Sequence, residues 1–240
     1  MRAEIEVYKP ENHVRVVTAT SLFDGHDAAI NIMRRILQDT GVEVIHLGHN
    51  RSVQEIVDAA IEEDVQGVAV SSYQGGHIEF FKYLVDLLKT REAVHIKVFG
   101  GGGGVIVPEE IKELESYGIT KIYSPEDGAK LGLQGMINHM VQRMDFSTVK
   151  EDGVSLEDLS PQNKLAVANL ITAAEEAKAQ EDGHLAALRA ELAQKIGDRK
   201  TAVIGITGTG GAGKSSLTDE VILRILHDLK DIHVAVISCD

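Results

Sequence analysis

Between residues 13 and 146, short β-branched runs alternate five times with longer stretches of helical apolar spacing. That alternation confines the chain to one architecture. Strands that are apolar on both sides must be covered on both faces, and a helix between successive strands returns the chain to the same edge, which makes neighbours parallel. The expected strands are HVRVVTAT (13–20), VEVIHLG (42–48), GVAVSS (67–72), HIKVFGG (95–101) and ITKIYS (119–124), with helices over 28–40, 52–64, 77–92, 108–118 and 126–144. Ser52 with Glu55 three residues on has capping-box spacing, and Pro108 sits where proline opens a helix. The reading is an α/β chain with a doubly wound five-stranded parallel sheet. Such sheets bind ligands outside the carboxyl ends of their strands.

Composition excludes several function classes. At 240 residues and 43% hydrophobic the chain can bury a real core. Its formal charge of −13, with no basic stripe, argues against a nucleic-acid partner. Cys239 is the single cysteine, so no intrachain disulfide forms and a reducing compartment is expected. The start, MRAEIEVYKPENHV, lacks the apolar stretch of a signal peptide, and no segment approaches the roughly 20 apolar residues of a membrane helix. A cytoplasmic protein with no membrane partner is the expectation.

Three expected strand ends carry unusual chemistry. The first has Asp24-Gly25-His26, the third has SSYQGGH with Ser71, Ser72, Gly75 and Gly76, and the fourth runs through five glycines, Gly100 to Gly104. Glycines there let a flat or bulky ligand approach the backbone. An imidazole binds a metal through one ring nitrogen when the other donates its proton to a carboxylate, and Asp24 stands two residues before His26. One protein nitrogen does not hold zinc, which takes three or four ligands. It suits a metal whose other positions a macrocycle already fills.

The order Asp24-x-His26, Ser71-x-Tyr73 and the glycine run at successive strand ends resembles the cobalamin-binding domain of adenosylcobalamin-dependent acyl-CoA mutases. The resemblance implies a flavodoxin-like sheet, with His26 as the lower cobalt ligand and Asp24 tuning it. It also implies that Ser71 and two of the five glycines line the channel for the displaced nucleotide tail, with Tyr123, Ser124 and Pro125 as further lining, and that Gly25 and Tyr73 belong to the cofactor-binding residues. Counting from the strand selects Gly100 and Gly101. Ala29 stands where the family has glycine, and Tyr73 where it has leucine.

Downstream, TAVIGITGTGGAGKSSLTDEVILRIL reads strand, glycine loop, helix, and Gly208-x-x-x-x-Gly213-Lys214-Ser215 matches the Walker A pattern. Gly208, Gly210, Gly211, Ala212, Gly213, Lys214, Ser215 and Ser216 form the expected nucleotide site. Backbone N–H groups there cradle phosphate at a helix N-terminus, Lys214 neutralises terminal oxygens, and Ser215 ligates Mg2+. A second buried strand, DIHVAVISCD, ends in Asp240, a further Mg2+ candidate.

The domains expected are 1–146 for cobalamin, a helical linker over 147–199 of two helices broken at Asp182-Gly183, and the opening part of a P-loop domain over 200–240. Two strands and one helix cannot enclose a core, so the chain is read as the N-terminal part of a longer protein. A cobalamin module ahead of a Walker A loop resembles the fused isobutyryl-CoA mutase family, over essentially all 240 residues. That resemblance implies radical interconversion of isobutyryl-CoA and n-butyryl-CoA, GTP hydrolysis governing cofactor loading, an acyl-CoA substrate bound outside this stretch, and a homodimer. The alternatives are a corrinoid carrier or sensor attached to an NTPase, and a receiver-like or flavin-binding domain attached to an NTPase, although KIYSPED carries no lysine at the strand end, where a receiver wants one.

Overall fold

A computed structural model of the chain describes residues 5–149, 155–180 and 183–238. It divides into two compact units, 1–185 and 186–240, each taken by itself below.

The first unit is built on five parallel strands in the order β2-β1-β3-β4-β5. The elements alternate as β1 (Arg15–Ser21), α1 (Ala28–Asp39), β2 (Glu43–Arg51), α2 (Val53–Glu62), β3 (Gly67–Ser71), α3 (His77–Thr90), β4 (Lys97–Gly101), α4 (Pro108–Tyr117), β5 (Lys121–Tyr123) and α5 (Pro125–Met144). Because side chains alternate along a strand, the sheet presents two apolar faces. Val17, Ala19, Val68, Val70, Val98 and Ile122 pack under α2, α3 and α4. Val14, Val16, Ala69, Phe99 and Tyr123 pack under α1 and α5. The expected Ser52–Glu55 capping box opens α2, and Pro108 opens α4.

Two departures concern length and straightness. β2 runs on to Arg51, past the expected Gly48, with irregular pairing against β1 after Thr18. α5 is interrupted at Gly132, whose φ of 67° and ψ of 173° are not helical. Ile5 lies against this break, 3.7 Å and 3.6 Å from where Cβ atoms of Gly132 and Gly135 would stand.

The helix α6 (Lys164–Gln180) is docked on the first unit. The buried Arg15 guanidinium donates to Thr172 Oγ1 at 3.1 Å, to Glu175 and, at 3.1 Å, to Glu43 Oε2. Asn169 donates to Asp64 at 2.6 Å, and Ala168 and Thr172 are buried. α7 (His184–Ile196) follows Gly183, whose φ of 85° marks the expected break; Asp182 lies outside the described residues.

In the second unit α8 (Lys214–Asp228) forms as expected, but the two flanking strands do not. Residues 201–209 and 233–238 carry no ladder, and Val203, Ile204 and Ile237 are 90%, 74% and 86% exposed. The expectation of buried strands there is corrected for a physical reason. A strand is stabilised by neighbours on both its edges and faces, and among the described residues of this unit no sheet is present to supply them. Cys239 and Asp240 lie outside the described residues. No helix among the described residues is long and apolar enough to cross a membrane.

Candidate functional site

The turn after β1 is organised by a carboxylate. Asp24 is 2% exposed, and its Oδ1 accepts from the His26 backbone N–H at 2.9 Å and pairs with His26 Nδ1 at 2.8 Å. Its Oδ2 accepts from the Tyr73 N–H at 2.5 Å. Burial alone would push the Asp24 carboxyl up. The Tyr73 and His26 N–H groups and the imidazole outweigh it and hold the carboxyl below its ordinary value. An ionised Asp24 makes Nδ1 the protonated nitrogen, which leaves Nε2 with the lone pair. The His26 side chain is 76% exposed. A buried acid thus fixes the tautomer of an imidazole offered to solvent. The Tyr73 ring flanks that imidazole, with centroids 5.6 Å apart.

Strand register sorts the other predicted residues. Thr20 pairs with Ser71, Ser71 with Gly101, and Gly101 with Tyr123. Paired residues of parallel strands share a face, so these four form one row at the carboxyl edge under α1 and α5. Gly100 does not join them. By the twofold alternation of β4, a Cβ there would point at Phe81 and Ile122 on the opposite face. Gly102 is a close-approach glycine: a Cβ there would stand 1.9 Å from the Ser72 carbonyl oxygen. Gly25 has open space around it. Tyr123 is buried, and its hydroxyl meets His139 Nδ1 at 2.7 Å; burial raises its pKa. Ser124 caps α5 by accepting from the Asp127 N–H at 3.2 Å, with Pro125 as the first helical residue.

Two residues of the same face went unnoticed in the sequence. Thr20 is fully buried and its hydroxyl oxygen has no hydrogen-bond partner, which is rare and costs about 1–3 kcal/mol. Thr18 pairs with His46 Nδ1 at 2.9 Å, and burial, followed by the Arg34 charge, lowers the His46 pKa. Threonines at alternate positions of HVRVVTAT, in an otherwise apolar strand, were the available signal.

Among the described residues no three His, Cys, Asp or Glu side chains converge to hold a metal ion. The donor set at the first turn is one imidazole with a carboxylate behind it. Such a set fits a metal that brings its own equatorial ligands, and the unpartnered Thr20 hydroxyl in the row with Ser71 and Gly101 fits a polar group lying under α1 and α5.

In the second unit the loop ahead of α8 holds Gly211 and Gly213 at φ of 76° and 80°, with Gly213 as N-cap and Ser215 and Ser216 in the first turn. Lys214 Nζ donates to the Gly208 and Thr209 carbonyls at 2.9 Å and 3.1 Å. The loop thus folds around its own lysine.

The sequence pattern of the B12 binding domain matches residues 14–129, and that of the methylmalonyl Co-A mutase-associated GTPase MeaB matches residues 167–240. The chain is similar to a fused isobutyryl-CoA mutase of Geobacillus kaustophilus, 61% identical over 98% of this chain and 22% of that protein. It is similar to a second of that name from Cupriavidus metallidurans, 58% identical over 96% of this chain and 21% of that protein. The 2-hydroxyisobutanoyl-CoA mutase small subunit of Aquincola tertiaricarbonis is 33% identical over 45% of this chain and 79% of its own length. The chain therefore spans about a fifth of the first two relatives and about four fifths of the third.

Proposed function

Since the chain belongs to the cobalamin-binding acyl-CoA mutases and, within them, to the fused isobutyryl-CoA mutase family, we propose that its first unit holds adenosylcobalamin and that His26 Nε2 would be the protein's ligand to the cobalt. The whole protein is a mutase that interconverts isobutyryl-CoA and n-butyryl-CoA, and the loop at 208–216 opens a GTPase that acts as chaperone in loading the cofactor. When bound, the cofactor supplies a radical by homolysis of its cobalt–carbon bond. The chain's own residues bind and orient. Asp24 keeps the Nδ1 proton, so that Nε2 stays a lone-pair donor of fixed orientation. The row Thr20, Ser71, Gly101 and Tyr123 receives the nucleotide tail, and the Thr20 hydroxyl gains there the partner it lacks. Tyr73 excludes water from one side of the imidazole.

At the second site, Lys214 exchanges the Gly208 and Thr209 carbonyls for the terminal phosphate of GTP, and the N–H groups of Gly210 to Lys214 take the remaining oxygens. Ser215 holds Mg2+, with Asp240 as a second oxygen ligand. Acyl-CoA is bound by a part of the protein outside these 240 residues, and the protein acts in the cytoplasm as a homodimer.

The observation that carries this reading is the 2.8 Å contact between buried Asp24 and exposed His26. The test is electron paramagnetic resonance of cob(II)alamin added to the protein. Nitrogen splitting that changes pattern when histidine is labelled with 15N, and vanishes in His26→Ala, is the expected result. Splitting from the cofactor's own benzimidazole in the unsubstituted protein refutes it.

A further inference from the structure

The loop that presents Tyr73 to Asp24 is itself tethered, and the tether ends on a buried histidine that the reading above leaves without a role. His77, 3% exposed, is the first residue of α3. Its Nδ1 meets the Gln74 carbonyl oxygen at 3.0 Å and its Nε2 meets Glu110 Oε2 at 2.9 Å. A carbonyl can only accept, so Nδ1–H donates to Gln74, and a further proton lies between Nε2 and the Glu110 carboxylate. The same Glu110 oxygen accepts from the Val107 N–H at 2.9 Å, which pins it to the start of α4. Gln74 reaches the other way, its side-chain amide donating to the Leu22 carbonyl at 2.5 Å, two residues before Asp24. His77 therefore joins three turns at the carboxyl edge: the one after β1, the one after β3 and the one after β4.

We propose that His77, braced by Glu110, is a positioning residue for the His26 imidazole, acting through the 72–76 loop whose Tyr73 N–H and Gln74 side chain fix the turn that carries Asp24. The inference rests on the reading of His26 as cobalt ligand. Rigid support of a ligand by hydrogen bonds beyond it governs both affinity and ring orientation at metal sites. With the His77 tether cut, the Gln74 carbonyl loses its buried donor, the loop relaxes, and the Tyr73 N–H leaves Asp24.

The test uses the intact protein and cob(II)alamin as the probe. His77→Gln keeps a side-chain amide within reach of Glu110 but removes the donor to Gln74. Cobalamin affinity is expected to fall about tenfold, the lower end of the usual loss for outer partners of a metal ligand, with broadened or diminished nitrogen splitting and unchanged nucleotide binding at Lys214. Glu110, on the rim of the unit, supplies a second pair of variants that keeps the proposal open to refutation should His77→Gln fail to fold. Glu110→Ala should reproduce the loss, and Glu110→Gln, whose amide can still meet Nε2, should restore most of it. A helix staple alone would lower thermal stability and leave affinity and splitting as they are in both folded variants; that result overturns the proposal. Absence of imidazole splitting in the unsubstituted protein would instead refute the assignment of His26.

Discussion

Alanine at the two glycines that end β4 is expected to damage different properties. A Cβ on Gly100 would stand 2.4 Å from Phe81 Cζ, 2.8 Å from its Cε1 and 2.7 Å from Ile122 Cδ1. Phe81 and Ile122 are both fully buried, so neither can swing toward solvent. Forcing a methyl into such a core costs about 1–3 kcal/mol, against which the stiffer backbone of alanine returns about 0.5–1 kcal/mol. The net loss, up to about 2.5 kcal/mol, corresponds to a fall in Tm of up to about 10 °C for a unit of this size. A Cβ on Gly101 meets Tyr123 O at 3.4 Å, an ordinary contact. Gly101→Ala should leave Tm within about a degree or raise it slightly, while placing a methyl in the row with Thr20 and Ser71 and weakening cobalamin about tenfold. Calorimetry and spectrophotometric cobalamin titration on both variants separate the effects. Were Gly100→Ala to be harmless and Gly101→Ala to unfold the unit, β4 would be slipped by one residue, since such a slip exchanges the two faces.

The remaining predictions concern single side chains. Asp24→Ala strips the acceptor from His26 Nδ1 and Tyr73 N–H, and cobalamin affinity should drop about 10- to 100-fold, measured by the same titration. Asp24 has its folded pKa below the ordinary 3.8. Its contribution to stability is therefore complete above that value and is lost as pH falls through the lower folded one, so unfolding curves of Asp24→Asn and the parent should converge only in strong acid. Lys214→Ala should abolish nucleotide binding in the whole protein and leave cobalamin binding unchanged; loss of both would contradict two separate sites. Arg15→Ala removes the donor to Thr172, Glu175 and Glu43, and should cost about 2 kcal/mol while raising amide hydrogen exchange throughout α6.

Most of the first unit could be read from the sequence because its signals are local. Five apolar runs and five amphipathic periods fall within a few residues of the observed elements, and Asp24 and His26 are close enough in sequence to predict their contact. What escaped depends on register and distance. Whether Gly100 or Gly101 faces the site is decided by pairing with β3 and β5, which no glycine count reveals. His77 meets Glu110 across 33 residues, and Arg15 meets Glu175 across 160. The break in α5 at Gly132 is visible only as one of several helix glycines. The runs flanking the P-loop have strand composition, yet β propensity expresses packing against neighbours, and the described residues provide none.

The position of α6 bears on how these modules can be recombined. Its sequence match to the GTPase begins at residue 167, inside a helix whose Asn169, Thr172 and Glu175 grip Asp64 and Arg15 of the other module. A chimera spliced at that homology boundary would graft a stranger's helix onto a buried guanidinium, and the graft should misfold unless Arg15 and Asp64 travel with it. A splice beyond Gln180 would carry the helix together with its seat.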